Sequence, residues 1–544
     1  MNRLYSFAAA ALLAVPLCAL ANESAPSADK KADDKHSTEK HAGAGDADAP
    51  LDPHLLPLQV ETTGSVVIGG KKIDYRAVAG TLIIDDKKDE PAASMSYVAY
   101  FRREAGAQRP VTFLYNGGPG SATVWLHMGA FGPRRVVTGD GERGPSAPYQ
   151  VVNNEYSLLD VSDLVFIDAP STGFGKIIAR DPDKDKDKQR VKQKELEKDF
   201  LGVDEDVRAF GIFIEKFLSK FQRWNSPKYL FGESYGTTRS AALAYSLQTT
   251  HRTDLNGVIL LSQILNFDHS ADAPQANPGV DLPYALVLPT FAAGAWHHKK
   301  LPGAPRDLVS LLDEVKRYAL SDYLLALAKG ANLGATERRA VAQKLHEYTG
   351  LSVEYLEKSN LRVNGGQFGK MLLDAEDMTV GRLDSRYAGP TLDSLDKEAD
   401  YDPQASAISS AYIAAYNDYV RSTLKFGTDE IYKASNYDAH WNFAHKQPGF
   451  GEPSEGTPNV MLDLAAAMKM NARLKVMLNS GYYDMATPFF AADYEMDHLP
   501  IPASLRKNIE THYYEAGHMM YVNTAALKML HEQVARFIAG TDNH

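Results

Sequence analysis

The segment Lys228-Tyr-Leu-Phe-Gly-Glu-Ser-Tyr-Gly236 joins a buried strand to a sharp turn and then to a helix. The run 228–231 has the apolar character of a buried strand, and the residues 240–245 (Ser-Ala-Ala-Leu-Ala-Tyr) favour a helix. Between them lies the only Gly-x-Ser-x-Gly pattern of the chain, centred on Ser234. Glycines on both sides permit a tight turn that leaves the serine hydroxyl exposed above the sheet edge. The segment therefore predicts a nucleophile elbow with Ser234 as the nucleophile.

A serine hydroxyl is a weak nucleophile, so it needs a neighbouring base and a group that orients the base. In hydrolases with such an elbow, these partners follow in the order serine, acid, histidine, each after a strand. Asp484 follows a short apolar run that ends at Leu478, and His518 follows another that ends near Tyr514. We therefore expect Ser234, Asp484 and His518 to form a catalytic triad. The alternative is that Asp484 and His518 only cap helices or line turns.

Hydrolysis of an acyl bond also needs hydrogen-bond donors for the developing oxyanion, each contributing about 3 kcal/mol. The loop Asn116-Gly-Gly-Pro-Gly120 follows the apolar run 111–115, and its glycines permit backbone N–H groups to approach a substrate oxygen. We assign one donor to the N–H of Gly118 and the other to the N–H of Tyr235. A phosphate-binding loop is the alternative, but no Gly-Lys-Ser/Thr follows.

The pattern of apolar residues predicts the α/β-hydrolase fold. Between about residues 58 and 103 the alternating pattern and the Gly69-Gly70 turn indicate antiparallel hairpins. Further along, short apolar runs alternate with helical patterns, which indicates a mostly parallel central sheet flanked by helices. From 268 to 461 the strand signal fades, so we predict a helical cap insertion there, with the hydrolase core formed by 51–267 and 462–544.

The N-terminus has the features of an export signal. A basic start, an apolar run from Phe7 to Leu20 and the small residues Ala19 and Ala21 predict a signal peptide over 1–21. The polar segment 22–50 predicts a disordered linker. A membrane anchor is the alternative, but the apolar run is short for a span. We therefore expect a periplasmic or secreted protein without stable membrane insertion. Since Cys18 is the only cysteine, the mature chain is expected to have no disulfide.

Charge and ligand spacing exclude other classes of partner. The net charge of -11 argues against nucleic acid, which needs a clustered basic surface. The charged run Asp181–Lys188 lacks the glycine and glutamate positions of a calcium loop, so we predict a solvated surface loop. No metal site is expected. The oligomeric state stays open.

Five blocks of the sequence resemble the signature blocks of the serine carboxypeptidases, and they occur in that family's order. They are Asn116-Gly-Gly-Pro-Gly-Ser121, Phe166-Ile-Asp-Ala-Pro170 with Gly173-Phe-Gly175, Gly232-Glu-Ser-Tyr-Gly236, Ser480-Gly-Tyr-Tyr-Asp484 and Gly517-His-Met519. The resemblance implies removal of C-terminal residues from peptides or proteins through an acyl-enzyme on Ser234. It also implies that neither a metal nor an organic cofactor is needed.

The resemblance further implies that Asn116 and Glu233 bind the carboxylate of the substrate. In the family, Glu233 is expected to have an acidic partner, but this chain has Ala130 there, and Leu114 replaces an expected aromatic residue. Two acidic groups that share a proton form a neutral site for a carboxylate at low pH, and Ala130 precludes that pair. Three nearby residues are alternative sources of positive charge: His127, Arg134 and Arg135.

Two other functions stay open at this point. The missing acidic partner is compatible with an esterase or acyltransferase that uses the same triad. A non-catalytic binding protein that retains the fold is the third possibility, and the complete set of nucleophile, base, orienting acid and oxyanion loop argues against it.

Overall fold

A computed structural model describes residues 52–106, 108–179 and 185–542. The predicted signal peptide (1–21), the predicted linker (22–50) and Cys18 all lie outside these residues. The strands are β1 (Gln59–Ile68), β2 (Lys71–Asp85), β3 (Pro91–Arg102), β4 (Val111–Tyr115), β5 (Arg134–Val136), β6 (Val151–Asn153), β7 (Asp163–Ile167), β8 (Lys176–Ile177), β9 (Lys228–Glu233), β10 (Gly257–Leu261), β11 (Met378–Val380), β12 (Ala388–Pro390), β13 (Lys475–Gly481) and β14 (Ile509–Tyr514).

The helices lie mainly between and after these strands. They are α1 (Lys186–Glu197), α2 (Val203–Lys220), α3 (Tyr235–Thr249), α4 (Leu282–His297), α5 (Leu308–Tyr318), α6 (Leu324–Ala328), α7 (Ala335–Thr349), α8 (Val353–Lys358), α9 (Gly365–Met371), α10 (Pro403–Ser422), α11 (Met461–Met470), α12 (Phe489–Asp497), α13 (Ala503–Arg506) and α14 (Thr524–Thr541). Two π-helical segments occupy Leu126–Phe131 and Ala319–Tyr323.

The central sheet has ten strands in the order β1-β2-β3-β7-β4-β9-β10-β13-β14, with β8 paired to β3. At the N-terminal side of the sheet each neighbouring pair is antiparallel: β1 with β2, β2 with β3, and β3 with β7. From β7 to β14 every neighbouring pair is parallel. The predicted α/β-hydrolase fold, with its N-terminal antiparallel strands and its mostly parallel sheet, is therefore confirmed.

The central parallel strands β4, β7, β9 and β10 are buried along their whole length because helices cover both faces of the sheet. Phe113 and Leu114 are neighbours on β4, and they enter two different apolar clusters because successive side chains point to opposite faces. One face is covered by α10 and α14, the other by α2, α3 and α11. The helical periodicity around Phe210 and Leu530 predicted two of these helices correctly.

Residues 181–184 of the charged run lie outside the described residues. The rest of the run, 185–188, differs from the predicted surface loop. From Lys186 the chain forms α1 instead of a loop, and this helix buries none of its residues. The side chain of Asp185 accepts hydrogen bonds from the backbone N–H groups of Asp187 and Lys188, and so caps the helix. The run is charged because the helix faces solvent on every side.

The segment 268–461 contains α4 to α10 and the short hairpin of β11 and β12. A third apolar cluster is formed by α4, α5, α7 and α9 together with residues 483–491, which follow β13. Helix α10 packs instead against the cluster of the central sheet. The assignment of this segment as a separate cap stays a prediction.

The loops that follow the parallel strands lie at one edge of the sheet. Strands β4, β9, β13 and β14 end at Tyr115, Glu233, Gly481 and Tyr514. Ligand sites of open α/β sheets form outside the carboxyl ends of the strands, so this edge is where the candidate residues lie. Within the described parts of the chain, no helix is both long enough and apolar enough to cross a bilayer.

Candidate active site

The elbow around Ser234 has the sharp geometry that the glycines predict. Ser234 lies between the end of β9 and the start of α3, with φ 60° and ψ −131°. A positive φ is uncommon for a residue other than glycine, and such strain is concentrated at functional sites. A side chain at Gly232 would overlap the carbonyl oxygen of Gly236, which explains why only glycine fits there. Ser234 itself is half-buried, so its hydroxyl is accessible.

Asp484 and His518 are in direct contact. The distance between His518 Nδ1 and Asp484 Oδ2 is 2.8 Å. The other oxygen of Asp484 accepts hydrogen bonds from the backbone N–H groups of Ala486 and Thr487, and the hydroxyl of Thr487 donates to Oδ2 at 2.6 Å. The carboxylate is fully buried and has a complete set of donors. It therefore holds the imidazole with Nδ1 towards itself and leaves Nε2 free.

The end of β10 connects Ser234 with His518. The backbone N–H of Ser234 donates to the carbonyl of Leu261 at 3.0 Å, and the hydroxyl of the next residue, Ser262, donates to the carbonyl of His518 at 2.7 Å. Within the described residues, no hydrogen bond joins Ser234 Oγ directly to His518 Nε2. Such bonds are often long in a ligand-free hydrolase and shorten only when substrate binds.

The electrostatics of His518 favour a positive charge on the imidazole. Burial opposes the charge, but the neighbouring Asp484 carboxylate outweighs burial and raises the pKa of His518 above its usual 6.5. This environment stabilises the imidazolium that forms when a base takes a proton from a serine.

The glycine loop lies directly against the elbow. A side chain at Gly117 would overlap the backbone nitrogen of Tyr235, so the two segments are in van der Waals contact. Tyr235 is the first residue of α3, so its N–H has no partner within the helix. Gly118 has φ 109°, which only glycine adopts readily. The two predicted oxyanion donors, the N–H groups of Gly118 and Tyr235, therefore lie where the glycine loop contacts the elbow.

A buried ion pair holds the glycine loop in place. Arg239 on α3 bonds Asp206 on α2 at 2.6 Å, and both side chains are inaccessible to solvent. Another nitrogen of the same guanidinium donates to the carbonyl of Asn116 at 2.8 Å. The guanidinium also lies over the ring of Phe210, 4.2 Å from its centroid. The role of Arg239 was not predicted from the sequence, because nothing in the helical pattern indicates that this side chain is buried.

The predicted carboxylate-binding residues, Asn116 and Glu233, lie side by side and are both buried. Burial raises the pKa of Glu233 to about 7, and the neighbouring His518, Tyr521 and Asn116 only partly oppose that rise. Glu233 is therefore largely protonated in mildly acidic solution. The methyl group of Ala130 and the side chain of Leu114 are both buried in the apolar cluster.

Of the three candidate cations, His127 contributes no positive charge near Glu233. His127 is fully buried, stacks on Phe166 and bonds the Tyr100 hydroxyl at 2.7 Å. Burial lowers the pKa of His127 to about 3, so the ring is neutral. Within the described residues, neither Arg134 nor Arg135 forms an ion pair with a carboxylate.

The segment 382–386, between β11 and β12, clamps the loops that carry Asp484 and His518. The carbonyl of Arg382 accepts from the N–H of Met485 at 3.0 Å, and the carbonyl of Leu383 accepts from the N–H of His518 at 2.6 Å. The Asp384 carboxylate accepts from the N–H of Gly517 at 3.1 Å. These hydrogen bonds were not predicted from the sequence, because the short loop 382–386 has neither periodicity nor a recognisable motif.

The irregular segment 427–460 borders the glycine loop. The ring of Tyr437 lies 3.0 Å from the position that a Cβ atom at Gly118 would occupy, yet 62% of this residue is exposed. Ser435 forms a bridge with Ser121, and Trp441 packs edge-on against Tyr235. These residues lie beside the elbow and the glycine loop. Among the residues that the structure describes, no group of three His, Cys, Asp or Glu side chains is arranged to hold a metal ion.

Residues 70–274 match the family described as serine carboxypeptidase. Over this segment the chain is similar to that family. The matched segment contains the Asn116–Gly120 loop and the Ser234 elbow but ends before Asp484 and His518. The match supports a serine hydrolase of the carboxypeptidase type.

One solved structure supports the α/β-hydrolase fold. Kex1Δp, a prohormone-processing carboxypeptidase from Saccharomyces cerevisiae, has 15% identity and a TM-score of 0.50, with 90% of this chain and 92% of that chain covered. A thermostable carboxyl esterase from Bacillus coagulans has 11% identity and a TM-score of 0.34, with 85% and 98% covered. At these identities the likeness to Kex1Δp shows the α/β-hydrolase fold that serine carboxypeptidases share. No curated protein gives a significant sequence match to the chain.

Proposed function

We propose that this protein is a serine carboxypeptidase that hydrolyses C-terminal peptide bonds through an acyl-enzyme on Ser234. The observation that carries the proposal is the 2.8 Å contact between His518 and Asp484 beside the strained Ser234 elbow. In this arrangement a base, its orienting carboxylate and an accessible hydroxyl share one edge of the sheet. The geometry suits acyl transfer.

The reaction follows from these positions. Ser234 Oγ attacks the scissile carbonyl while His518 Nε2 takes the hydroxyl proton, and Asp484 stabilises the resulting imidazolium. The N–H groups of Gly118 and Tyr235 donate to the oxyanion. His518 then gives its proton to the leaving amine, which leaves the acyl group on the serine. A water molecule, activated by His518, hydrolyses the ester and restores the hydroxyl.

Exopeptidase specificity is supported by the buried carboxyl group beside the nucleophile. With its pKa raised to about 7, Glu233 donates a hydrogen bond when protonated, and Asn116 offers its amide N–H₂. These donors suit the terminal carboxylate of a peptide. Above about pH 7 the ionised Glu233 repels that carboxylate, so we expect KM to rise there.

A matched pair of peptides tests the proposal. One peptide has a free C-terminus and the other a C-terminal amide, and mass spectrometry follows their products. We expect residues to be lost one at a time from the free peptide, with Ser234→Ala reducing the rate by several orders of magnitude while its thermal unfolding stays unchanged. Equal cleavage of the amide, or cleavage at internal bonds, would contradict exopeptidase activity.

An esterase or acyltransferase is the second candidate, and the observation that favours it is Ala130 in place of the acidic partner of Glu233. Rapid turnover of simple esters, with no residue released from any peptide, would support this candidate over the first.

We also propose that the protein is exported to the periplasm or secreted, because residues 1–21 have the pattern of a signal peptide. N-terminal sequencing of the protein purified from its natural host should begin at Asn22. A protein that begins at Met1 would contradict export by this signal.

A further inference from the structure

Two buried oxygen atoms beside the nucleophile have no hydrogen-bond partner among the described residues: Oε2 of Glu233 and the hydroxyl of Tyr521. The two residues are 4% and 3% exposed. Buried polar atoms are nearly always paired, and an unpaired one costs about 1–3 kcal/mol. The chain tolerates two such atoms at the point where a substrate is expected to bind, so a ligand is the natural partner for both.

Both residues are adjacent in the chain to the proposed catalytic groups. Glu233 directly precedes Ser234 at the end of β9. Tyr521 lies in the single helical turn Met520–Val522, which follows His518. Because each residue is close in the chain to a proposed catalytic group, the two oxygens lie near the expected position of the scissile bond.

The hydroxyl of Tyr521 faces the carboxyl of Glu233. It lowers the pKa of Glu233 against the effect of burial, and burial together with the charge of Glu233 raises the pKa of Tyr521 well above its usual value. Tyr521 therefore keeps its proton and stays a donor at every physiological pH. The geometry falls short of a good hydrogen bond between them, so the donor remains available.

The packing around Tyr521 explains why its ring can occupy this place. The ring lies against Gly129, where a Cβ atom would be 2.6 Å from Cδ2 and would also overlap the Tyr412 hydroxyl. Gly129 is next to Ala130, whose small side chain places no acidic group near the ring. A tyrosine ring thus fills space next to the residue that replaces the acidic partner.

We propose that Tyr521 is a specificity-determining residue whose hydroxyl, together with Glu233 and Asn116, donates hydrogen bonds to the terminal carboxylate of the substrate. The proposal rests on the carboxypeptidase function proposed above and names its recognition group. A carboxylate presents acceptors on both oxygens, whereas a terminal amide replaces one acceptor with N–H₂, which would face the Tyr521 donor. The Tyr521 donor therefore discriminates against amides.

Other titratable groups also act on this site. The groups that influence Glu233, or are influenced by it, are His518, Asp484, Tyr412, Tyr437 and Tyr521. Because His518 and Glu233 influence each other's pKa, recognition is best measured by comparing two peptides at one pH rather than by a pH profile alone.

The test measures binding separately from catalysis. In the Ser234→Ala background, isothermal titration gives the Kd of one peptide with a free C-terminus and of the same peptide with a C-terminal amide, at about pH 6 where Glu233 is largely protonated. We expect the free peptide to bind more tightly. Adding Tyr521→Phe should reduce that preference by about tenfold, as expected for the loss of one hydrogen bond to a charged group.

Tyr97→Phe is the matched control, because the Tyr97 hydroxyl is also buried without a partner but lies among Phe213, Phe217 and Phe221, away from the elbow. We expect this substitution to leave the preference unchanged. An unchanged preference in Tyr521→Phe, with folding verified by thermal unfolding, would overturn the role of Tyr521. Wild-type enzyme that releases no C-terminal residue, while the binding preference depends on Tyr521, would overturn the catalytic proposal alone.

Discussion

At the residue scale, Glu233 is the most unusual titratable group of the site. Its carboxyl is buried at the end of β9 with one oxygen unpaired, and its pKa is raised to about 7. A carboxyl group in this state is a hydrogen-bond donor at mildly acidic pH and a buried anion at alkaline pH. One residue therefore links substrate recognition with the stability of the fold.

Glu233→Gln is expected to stabilise the protein at alkaline pH relative to wild type. The folded-state pKa of Glu233 is raised, so its contribution to stability is fully present below about pH 4.5 and is lost as the pH rises through about 7. The loss amounts to about 3 kcal/mol at most. Urea unfolding at about pH 5 and about pH 8 measures it. Glu455→Gln, at an exposed site, is the control, and equal effects of both substitutions would contradict the prediction.

Protonation of His518 should limit kcat/KM at low pH. The base must be neutral to accept a proton, and its pKa is raised, so we expect kcat/KM to increase with pH through a value above 6.5. Asp484→Asn removes the carboxylate that raises this pKa. The increase of kcat/KM with pH should therefore occur at lower pH, while kcat falls by about 10⁴. The pH dependence of ester hydrolysis measures both changes. An unchanged pH dependence of kcat/KM in Asp484→Asn would show that Asp484 does not act on His518.

At the element scale, the site depends on loops from distant parts of the chain that are bonded to one another. The end of β10 bonds both Ser234 and His518, and the segment 382–386 bonds the loops that carry Asp484 and His518. The position of the base is therefore set by backbone hydrogen bonds from two sides. Small displacements of catalytic groups cost large factors in rate.

Gly517→Ala tests the clamp. A side chain at Gly517 would overlap Asp384 and the carbonyl of Leu383, so the segment 382–386 must move away from His518. We expect kcat to fall by about 10²-fold, as for a displacement of about 1 Å. Gly540→Ala is the control, because nothing lies near its Cβ position. Equal kcat values for the two variants would show that the clamp does not position the base.

At the scale of the whole molecule, the sequence predicted those features that depend on local pattern. Apolar runs placed β4, β9 and β10, and the glycines around Ser234 predicted the elbow, because burial and backbone sterics act within a few residues. The segments 382–386 and 427–460 were not predictable from the sequence, because irregular loops leave no periodic signal. The contact of Tyr521 with Glu233 depends on packing between elements far apart in the chain.

The central claim is that His518, held by Asp484, activates Ser234. Labelling with a fluorophosphonate probe, followed by peptide mass spectrometry, tests it most directly because the probe reacts only with an activated serine. We predict rapid labelling at Ser234 in the wild-type protein and its near loss in folded His518→Ala. Labelling at another serine, or equally rapid labelling of Ser234 without the imidazole, would contradict the account.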